Sequence, residues 1–220
     1  MRVGSDNRRL RGARSGSATA FRATQVVAGL GAALCLLGAA SCNELVRASR
    51  SSTILVIDRI GAASGGTPDD PIPTLLNSDV LLNGGVFPDI ARVTTRLAFK
   101  VPGTSENPTA PTSANWVTVT GYRVEYQRTD GRSEQGRDVP YAFAGGLTFT
   151  TTDISSAEFT LVRAQAKLEQ PLISLRNLGG AVTLSVIATI TFYGHDQTSS
   201  AVSAEGTIGI NFADFADPDA

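Results

Sequence analysis

The amino-acid sequence predicts an all-β protein, an antiparallel β-sandwich that follows an N-terminal signal helix. Three observations favour this fold class. Apolar and polar residues alternate along several short segments, turn-rich connectors separate those segments, and no long helical pattern follows residue 52. The 220 residues are 42% hydrophobic and 18% charged, which is typical of a globular protein and excludes a disordered or multi-span membrane chain.

The N-terminus has the three parts of a secretory signal. Residues 1–24 hold six arginines and one aspartate, an uncharged apolar run follows at 26–40, and small residues close it. A helix of ~15 residues rises only about 22 Å, which is short for a hydrocarbon core of ~30 Å. We therefore expect residues 1–41 to be a signal helix that is removed from the mature chain.

The end of this signal carries a more specific pattern. Residues 36–42, LLGAASC, resemble the lipobox of bacterial lipoproteins, in which a small residue precedes a cysteine. The resemblance implies cleavage between Ser41 and Cys42, lipidation of Cys42, and attachment to a membrane through its acyl chains. Asn43 stands where lipoproteins of the inner membrane have aspartate, which implies the outer membrane of the cell envelope. A plain signal peptide with an incidental cysteine is the alternative.

Removal of the signal makes the chain acidic. Six of its 19 basic residues and one of its 20 acidic residues lie in 1–41, so the net charge changes from −1 to −6. An acidic chain is a poor partner for nucleic acid, whose binding depends on lysine and arginine. Cys42 is the one cysteine that remains, so we expect no disulfide, and the sequence predicts no cofactor.

The mature chain divides into a polar tether at 42–52, a β-sandwich domain at 53–213 and an acidic tail at 214–220. A hairpin turn is expected at Asp130-Gly131, and one or two helical turns at 162–170 should end before Pro171. Period-two patterns and apolar runs predict strands at 53–60, 75–82, 91–101, 116–127, 139–149 with a break at Gly145-Gly146, 157–161, 182–192 and 202–212.

Part of this pattern resembles a known architecture. The segment 181–212 is similar to the closing F–G hairpin of immunoglobulin-like and fibronectin-type-III-like modules. Residues 121–126 with Asp130-Gly131 are similar to their C strand and its turn. The resemblance implies an immunoglobulin-like sandwich and names no family within that class. Such modules bind partners or act as spacers more often than they catalyse.

Three aromatic residues are candidate binding residues. Trp116, Tyr122 and Tyr126 occupy even positions of one predicted strand, so regular alternation places them on one face. An exposed aromatic strip would stack on sugar rings or form a protein hot spot. The alternative, which we favour, is that this face is the core of the sandwich and that Trp116 is its plug.

Residues that could support catalysis or bind a metal are few. Ser64 lies in a near match to the G-x-S-x-G elbow, but no helical pattern follows it. The one histidine, His195, falls in a predicted turn, where His195-Asp196 indicate an Asx-type turn with an exposed imidazole. We predict no catalytic residues and no metal ligands.

The sequence therefore predicts a non-catalytic binding module that acyl chains on Cys42 hold in the cell envelope. Its partner would be an envelope protein or a glycan. A structural or assembly component of an envelope complex, which pairs with its partner through a sheet edge, is the alternative. A hydrolase is a remote second alternative.

Overall fold

A computed structural model of the protein describes residues 51–66, 73–110 and 112–215. The predicted signal peptide, Cys42, most of the tether and residues 216–220 lie outside these ranges. The described residues belong to one compact unit, Arg47–Ala220, that contains two β-sheets. Within the described ranges, no helix has the length and apolar character needed to cross a bilayer.

The strands of this unit confirm the prediction of an all-β sandwich. The smaller sheet has the order β1-β3-β6 and the larger sheet the order β2-β8-β7-β4-β5. The bounds of the strands are β1 Thr53–Ala63, β2 Leu75–Asp79, β3 Asp89–Phe99, β4 Val117–Arg128, β5 Phe143–Thr151, β6 Ile154–Val162, β7 Leu184–Asp196 and β8 Ala201–Ala213.

One strand departs from the predicted antiparallel arrangement. Each neighbouring pair is antiparallel except β2 and β8, which are parallel. The short strand β2 does not continue a hairpin from β1. It joins the outer edge of β8, a strand from the far end of the chain, and a parallel pair of this kind needs no tight turn.

Alternation along the strands places the core between the two sheets. Odd positions of β3 and even positions of β7 and β8 are buried or half-buried, as predicted. Full burial of an aliphatic or phenylalanine side chain contributes about 1.5–3 kcal/mol. The buried side chains of these three strands are Asp89, Ala91, Val93, Thr95, Leu97, Leu184, Val186, Ala188, Ile190, Phe192, Asp196, Val202, Ile208, Ile210, Phe212 and Ala213.

A β-bulge in β4 reverses the predicted alternation. Val119 and Gly121 pair with adjacent residues of β7, so Thr120 is one extra residue in β4. Val119 is buried before the bulge and Tyr122 is buried after it, although their positions differ in parity. The prediction that Trp116 shares a face with Tyr122 is therefore wrong, because an irregular pairing between strands changed the parity.

Strand β5 runs through the glycine pair at which we predicted a break. Gly145 stands directly opposite Tyr122 of β4. A Cβ atom on Gly145 would lie 2.4 Å from Cζ of Tyr122, so the ring occupies the space that any larger residue would need. The predicted strand at 139–142 is not formed, and β5 begins at Phe143.

Short helical segments occupy two of the connections. A 3-10 helix, Ser113–Asn115, precedes β4. Between β6 and β7 lie one α-helical turn, α1 (Ala164–Lys167), and a 3-10 helix, Leu172–Leu175, which confirms the predicted helical turn before Pro171. The turn predicted at Asp130-Gly131 is present, with Gly131 at φ 88°, but a longer loop follows it before β5.

The space beside Tyr122 gives a test of the β4–β5 pairing. We expect Gly145→Ala to lower the free energy of unfolding by about 1–3 kcal/mol, the usual effect of overpacking. Gly146→Ala is the matched control, because nothing lies within 4 Å of a Cβ atom at that position. Urea unfolding measures both variants, and equal effects of the two substitutions would contradict this packing.

Candidate functional site

The two tyrosines of the predicted aromatic strip lie in the core. Tyr122 is 5% exposed and packs edge-on against Phe159, with 5.0 Å between the ring centroids. Tyr126 is 6% exposed, and its hydroxyl donates a hydrogen bond of 2.6 Å to the backbone oxygen of Leu161. Burial raises the pKa of Tyr126, so this hydroxyl remains a donor. These positions agree with the core interpretation.

Trp116 lies elsewhere, just before β4. Its side chain is 37% exposed, its backbone is extended, and the next residue, Val117, is fully buried. Because side chains alternate along extended backbone, Trp116 points to the outer side of the larger sheet. Trp116 is therefore not the core plug that we predicted, and the three aromatic residues do not form one strip.

Hydroxyl side chains form a continuous part of the outer side of the larger sheet, beside charged and apolar residues such as Arg123, Glu205 and Ile187. Threonines and serines from four adjacent strands share this side with one tyrosine, and all of them are exposed or half-buried. We call this surface the hydroxyl face. Its residues are Thr118, Thr120, Thr148, Thr150, Thr189, Thr191, Tyr193, Ser203 and Thr207.

One hydroxyl contact joins two strands of this face, and its charged neighbours are the pair Arg123–Glu125 and the exposed carboxylate of Glu205, which stands opposite Thr191. The hydroxyl oxygens of Thr118 and Thr150 are 3.1 Å apart across β4 and β5. Tyr193 is 41% exposed. Nearby, the guanidinium of Arg123 lies 2.9 Å from the Glu125 carboxylate. Hydroxyl groups both donate and accept hydrogen bonds, so this face can bind donor groups and acceptor groups of a ligand.

The sequence patterns do not single out Tyr193 as a binding residue. It occupies an odd position of β7, between Phe192, which is fully buried, and Gly194. The alternation of apolar and polar residues in β7 predicts that its odd positions face solvent. The feature of the sequence that could point to Tyr193 as a binding residue is an aromatic side chain at one of these solvent-facing positions.

A second group of polar residues lies inside the domain. Asp89 and Lys167 are 0% and 1% exposed, and Nζ of Lys167 lies 2.6 Å from Oδ1 of Asp89. The same ammonium donates to the backbone oxygen of Asp79 at 2.7 Å. Asp89 also accepts hydrogen bonds from the Ser78 hydroxyl at 2.5 Å and from the Gly65 amide at 2.9 Å. The pair thus joins β2, β3, α1 and the residues after β1.

The burial of Asp89 and Lys167 determines whether the pair can act on a ligand or only stabilise the fold. Burial raises the pKa of the Asp89 carboxyl, and Lys167 acts against this shift through its charge and its hydrogen bond. Ionisable pairs of this kind are candidate catalytic groups when they line a cleft. Here both side chains are buried and their bonding positions are occupied by the protein, so the arrangement supports a structural role.

Ser64 and His195 are not brought together. Ser64, just after β1, accepts a hydrogen bond of 2.9 Å from the Asp79 amide. The neighbour of His195, Asp196, receives a hydrogen bond from Ser51, just before β1. Ser64 and His195 therefore lie near opposite ends of β1, which has 11 residues. At ~3.3 Å per residue this is about 36 Å.

An Asx-type turn is present at Asp196, as predicted, but His195 lies in β7, where it pairs with Ala201, and not in the turn. Oδ1 of Asp196 accepts hydrogen bonds from the amides of Thr198 and Ser200, each at 2.9 Å. Burial raises the pKa of Asp196, but hydrogen bonds from Thr198, Ser200 and Ser51 outweigh it and hold that pKa below its usual range. His195 is exposed. In the part of the chain that the structure describes, no cluster of three or more metal-ligating residues occurs.

The buried pair gives a prediction about stability. Lys167→Met leaves the Asp89 carboxyl in the core without its cation, and we expect the free energy of unfolding to fall by about 3–5 kcal/mol. The double variant Asp89→Asn, Lys167→Met removes both charges and should recover most of this loss. Urea unfolding compares the three proteins. A double variant no more stable than Lys167→Met would contradict the explanation.

The same variant should also show a distinct pH dependence. Without Lys167, burial holds the pKa of Asp89 in the folded chain above its value of about 3.9 in an unfolded chain. A raised pKa in the folded state stabilises at low pH, and this contribution is lost as the pH rises above about 4. The deficit of Lys167→Met relative to wild type should therefore be larger at neutral pH than in acid.

Comparisons with known proteins return no relative. No protein family, no curated protein and no solved structure matches this chain. The hydroxyl face and the sequence patterns are therefore the basis for a functional proposal.

Proposed function

We propose that this protein is a non-catalytic binding module that acyl chains on Cys42 hold at a membrane of the cell envelope. The anchor is supported by the lipobox-like residues 36–42 and by the basic and apolar segments before them. Two or more acyl chains give the stable attachment that a single chain does not. Asn43 supports the outer membrane as the location.

The observation that carries the binding proposal is the uncovered hydroxyl face. Tyr193 is 41% exposed on it, and threonine and serine hydroxyls from the neighbouring strands surround the ring. A sugar presents hydroxyl groups on its edges and apolar C–H groups on its faces. A surface rich in hydroxyls with an exposed tyrosine ring complements both features, so an envelope glycan is the ligand class that we propose.

We also propose that the sandwich is immunoglobulin-like. Its order β1-β3-β6 corresponds to strands A, B and E of that class, and the order β4-β7-β8 corresponds to C, F and G. The hairpin β7–β8, paired from Leu184–Phe212 to His195–Ala201, is then the F–G hairpin. This assignment supports a binding role, since modules of that architecture are more often binding domains than enzymes.

Strand β5 favours a second candidate function, a structural or assembly component of an envelope complex. β5 is the edge strand of the larger sheet. Its nine residues, FAGGLTFTT, include no charged residue and no proline, which are the usual protection of an edge against pairing. A strand of a partner protein could therefore add to the sheet at β5.

The anchor is tested by replacing the cysteine of the lipobox. We expect Cys42→Ser to block lipidation and to move the protein from the membrane fraction to the soluble fraction or to an unprocessed precursor. Cys35→Ser is the matched control and should remain lipidated and membrane-bound, because Cys35 lies within the apolar run. Fractionation and intact mass measure both variants. A Cys42→Ser protein that is processed and membrane-bound like wild type would refute the anchor.

The glycan proposal is tested by replacing the ring on the hydroxyl face. We expect Tyr193→Ala to weaken binding of the detergent-solubilised lipoprotein to purified envelope glycans on the order of tenfold, about 1.4 kcal/mol. Tyr141→Ala is the matched control, because Tyr141 is similarly exposed, at 48%, but lies in the loop before β5. Cosedimentation with insoluble glycan and calorimetry with soluble fragments measure the affinity. Equal binding by wild type and Tyr193→Ala would contradict the assignment.

A crosslinking experiment separates the two candidate functions. A photoreactive amino acid is placed in intact cells at Thr148 of β5 or at Thr191 of β7. A discrete protein adduct from position 148 alone would favour assembly through the edge of β5. Saturable glycan binding, with no protein adduct from either position, would count against the assembly role.

A further inference from the structure

The end of the sandwich at which the tether enters is held tightly by its neighbours. The backbone oxygen of Ser52 accepts a hydrogen bond of 3.2 Å from the Lys100 amide. The Thr53 hydroxyl donates to the backbone oxygen of Asn115 at 3.2 Å. Residues before β1 therefore leave the domain beside the connection between β3 and β4. We call this end of the domain the tether end.

Large apolar side chains are exposed at the tether end. Val101, in the connection after β3, is 74% exposed, which is the highest value among the large hydrophobic residues that the structure describes. Ile54 is 45% exposed and Trp116 is 37% exposed. Residues 100–116 carry only two charged side chains, Lys100 and Glu106. The connection between β3 and β4 thus presents apolar groups with few charges at the tether end, where the turn between β5 and β6 adds the exposed Asp153.

We propose that the tether end rests on the lipid bilayer, with Val101 and Trp116 among the lipid headgroups. This inference rests on the proposed function, because the acyl chains on Cys42 supply the attachment. Tryptophan suits this depth, since its ring is apolar and its N–H remains near water. The valine adds apolar area that is otherwise exposed to solvent. The bilayer is therefore a binding surface for the folded domain as well as the medium that holds the acyl chains.

The length of the tether excludes the inverted orientation, in which the opposite end of the domain would face the bilayer. Eight residues lie between Cys42 and Ser51, so nine Cα-to-Cα steps join them. Fully extended, that length of chain spans at most about 30 Å. The 13 residues of β7 run from the opposite end of the domain to Asp196, which is bonded to Ser51. At ~3.3 Å per residue β7 is about 43 Å long. An inverted domain would place Ser51 farther from the bilayer than the tether reaches.

The chain carries its own probe for this orientation, because Trp116 is its one tryptophan. The mature lipoprotein is reconstituted into vesicles of phosphatidylethanolamine and phosphatidylglycerol, with or without bromine on the acyl chains close to the headgroup. If the tether end rests on the bilayer, the fluorescence emission of Trp116 in the vesicle-bound lipoprotein should lie at shorter wavelength than in the Cys42→Ser protein, measured in solution without detergent. Brominated lipid should also quench most of this emission.

Two matched variants test whether the quenching of Trp116 depends on contact between the tether end and the bilayer. Val101→Asp places a charge among the headgroups and should abolish most of the quenching. Leu178→Asp, at a residue 41% exposed between α1 and β7 at the opposite end, should leave the quenching unchanged. Both positions are on the surface, so both variants are expected to fold. Equal loss of quenching in the two variants would overturn the docking.

Flotation and mass separate failure of the docking from failure of the anchor. A protein that is lipidated and floats with vesicles, but whose Trp116 is not quenched, overturns the docking and leaves the anchor intact. A protein that does not float and has an unmodified Cys42 overturns the anchor, and the docking with it. Flotation together with quenching that Val101→Asp removes supports both.

Discussion

The ion pair between Asp89 and Lys167 is the interaction on which the closure of one end of the sandwich depends. It joins β3 of the smaller sheet to α1, and its further hydrogen-bonding partners come from β2 of the larger sheet and from the residues after β1. A buried charge without its partner destabilises a protein by several kcal/mol. Loss of either charge would therefore weaken the contacts among the segments that meet at this end of the domain.

The packing of the core-facing residues of β4 determines which of its side chains are exposed on the outer side of the sheet. The bulge at Thr120 allows Val119 and Tyr122 to enter the core from positions of opposite parity. The same change of parity turns Trp116 and Thr118 outward. Gly145 completes the arrangement, because it leaves the space that the Tyr122 ring fills between the sheets. The hydroxyl face and the exposed tryptophan are consequences of the way in which the core is filled.

The proposals assign separate parts of the domain to separate roles. The tether end would contact the bilayer through Val101 and Trp116, and the hydroxyl face would bind the ligand. The strands that carry this face run away from the tether end, so a domain that stands on the bilayer holds the face at a steep angle to the membrane plane. A ligand beside the protein in the envelope could then reach Tyr193 without displacing lipid.

The sequence by itself determined the fold class, the buried faces of β3, β7 and β8, the helical turn before Pro171 and the Asx turn at Asp196. These features depend on alternation and turn chemistry within a few neighbouring residues. Only the tertiary structure decided the parallel pairing of β2, the bulge at Thr120, the position of Tyr122 against Gly145, and the contact between Asp89 and Lys167, which are 78 positions apart. Each of these depends on which distant segments pack together, and that choice is made by the filling of the shared core and leaves no local pattern in the chain.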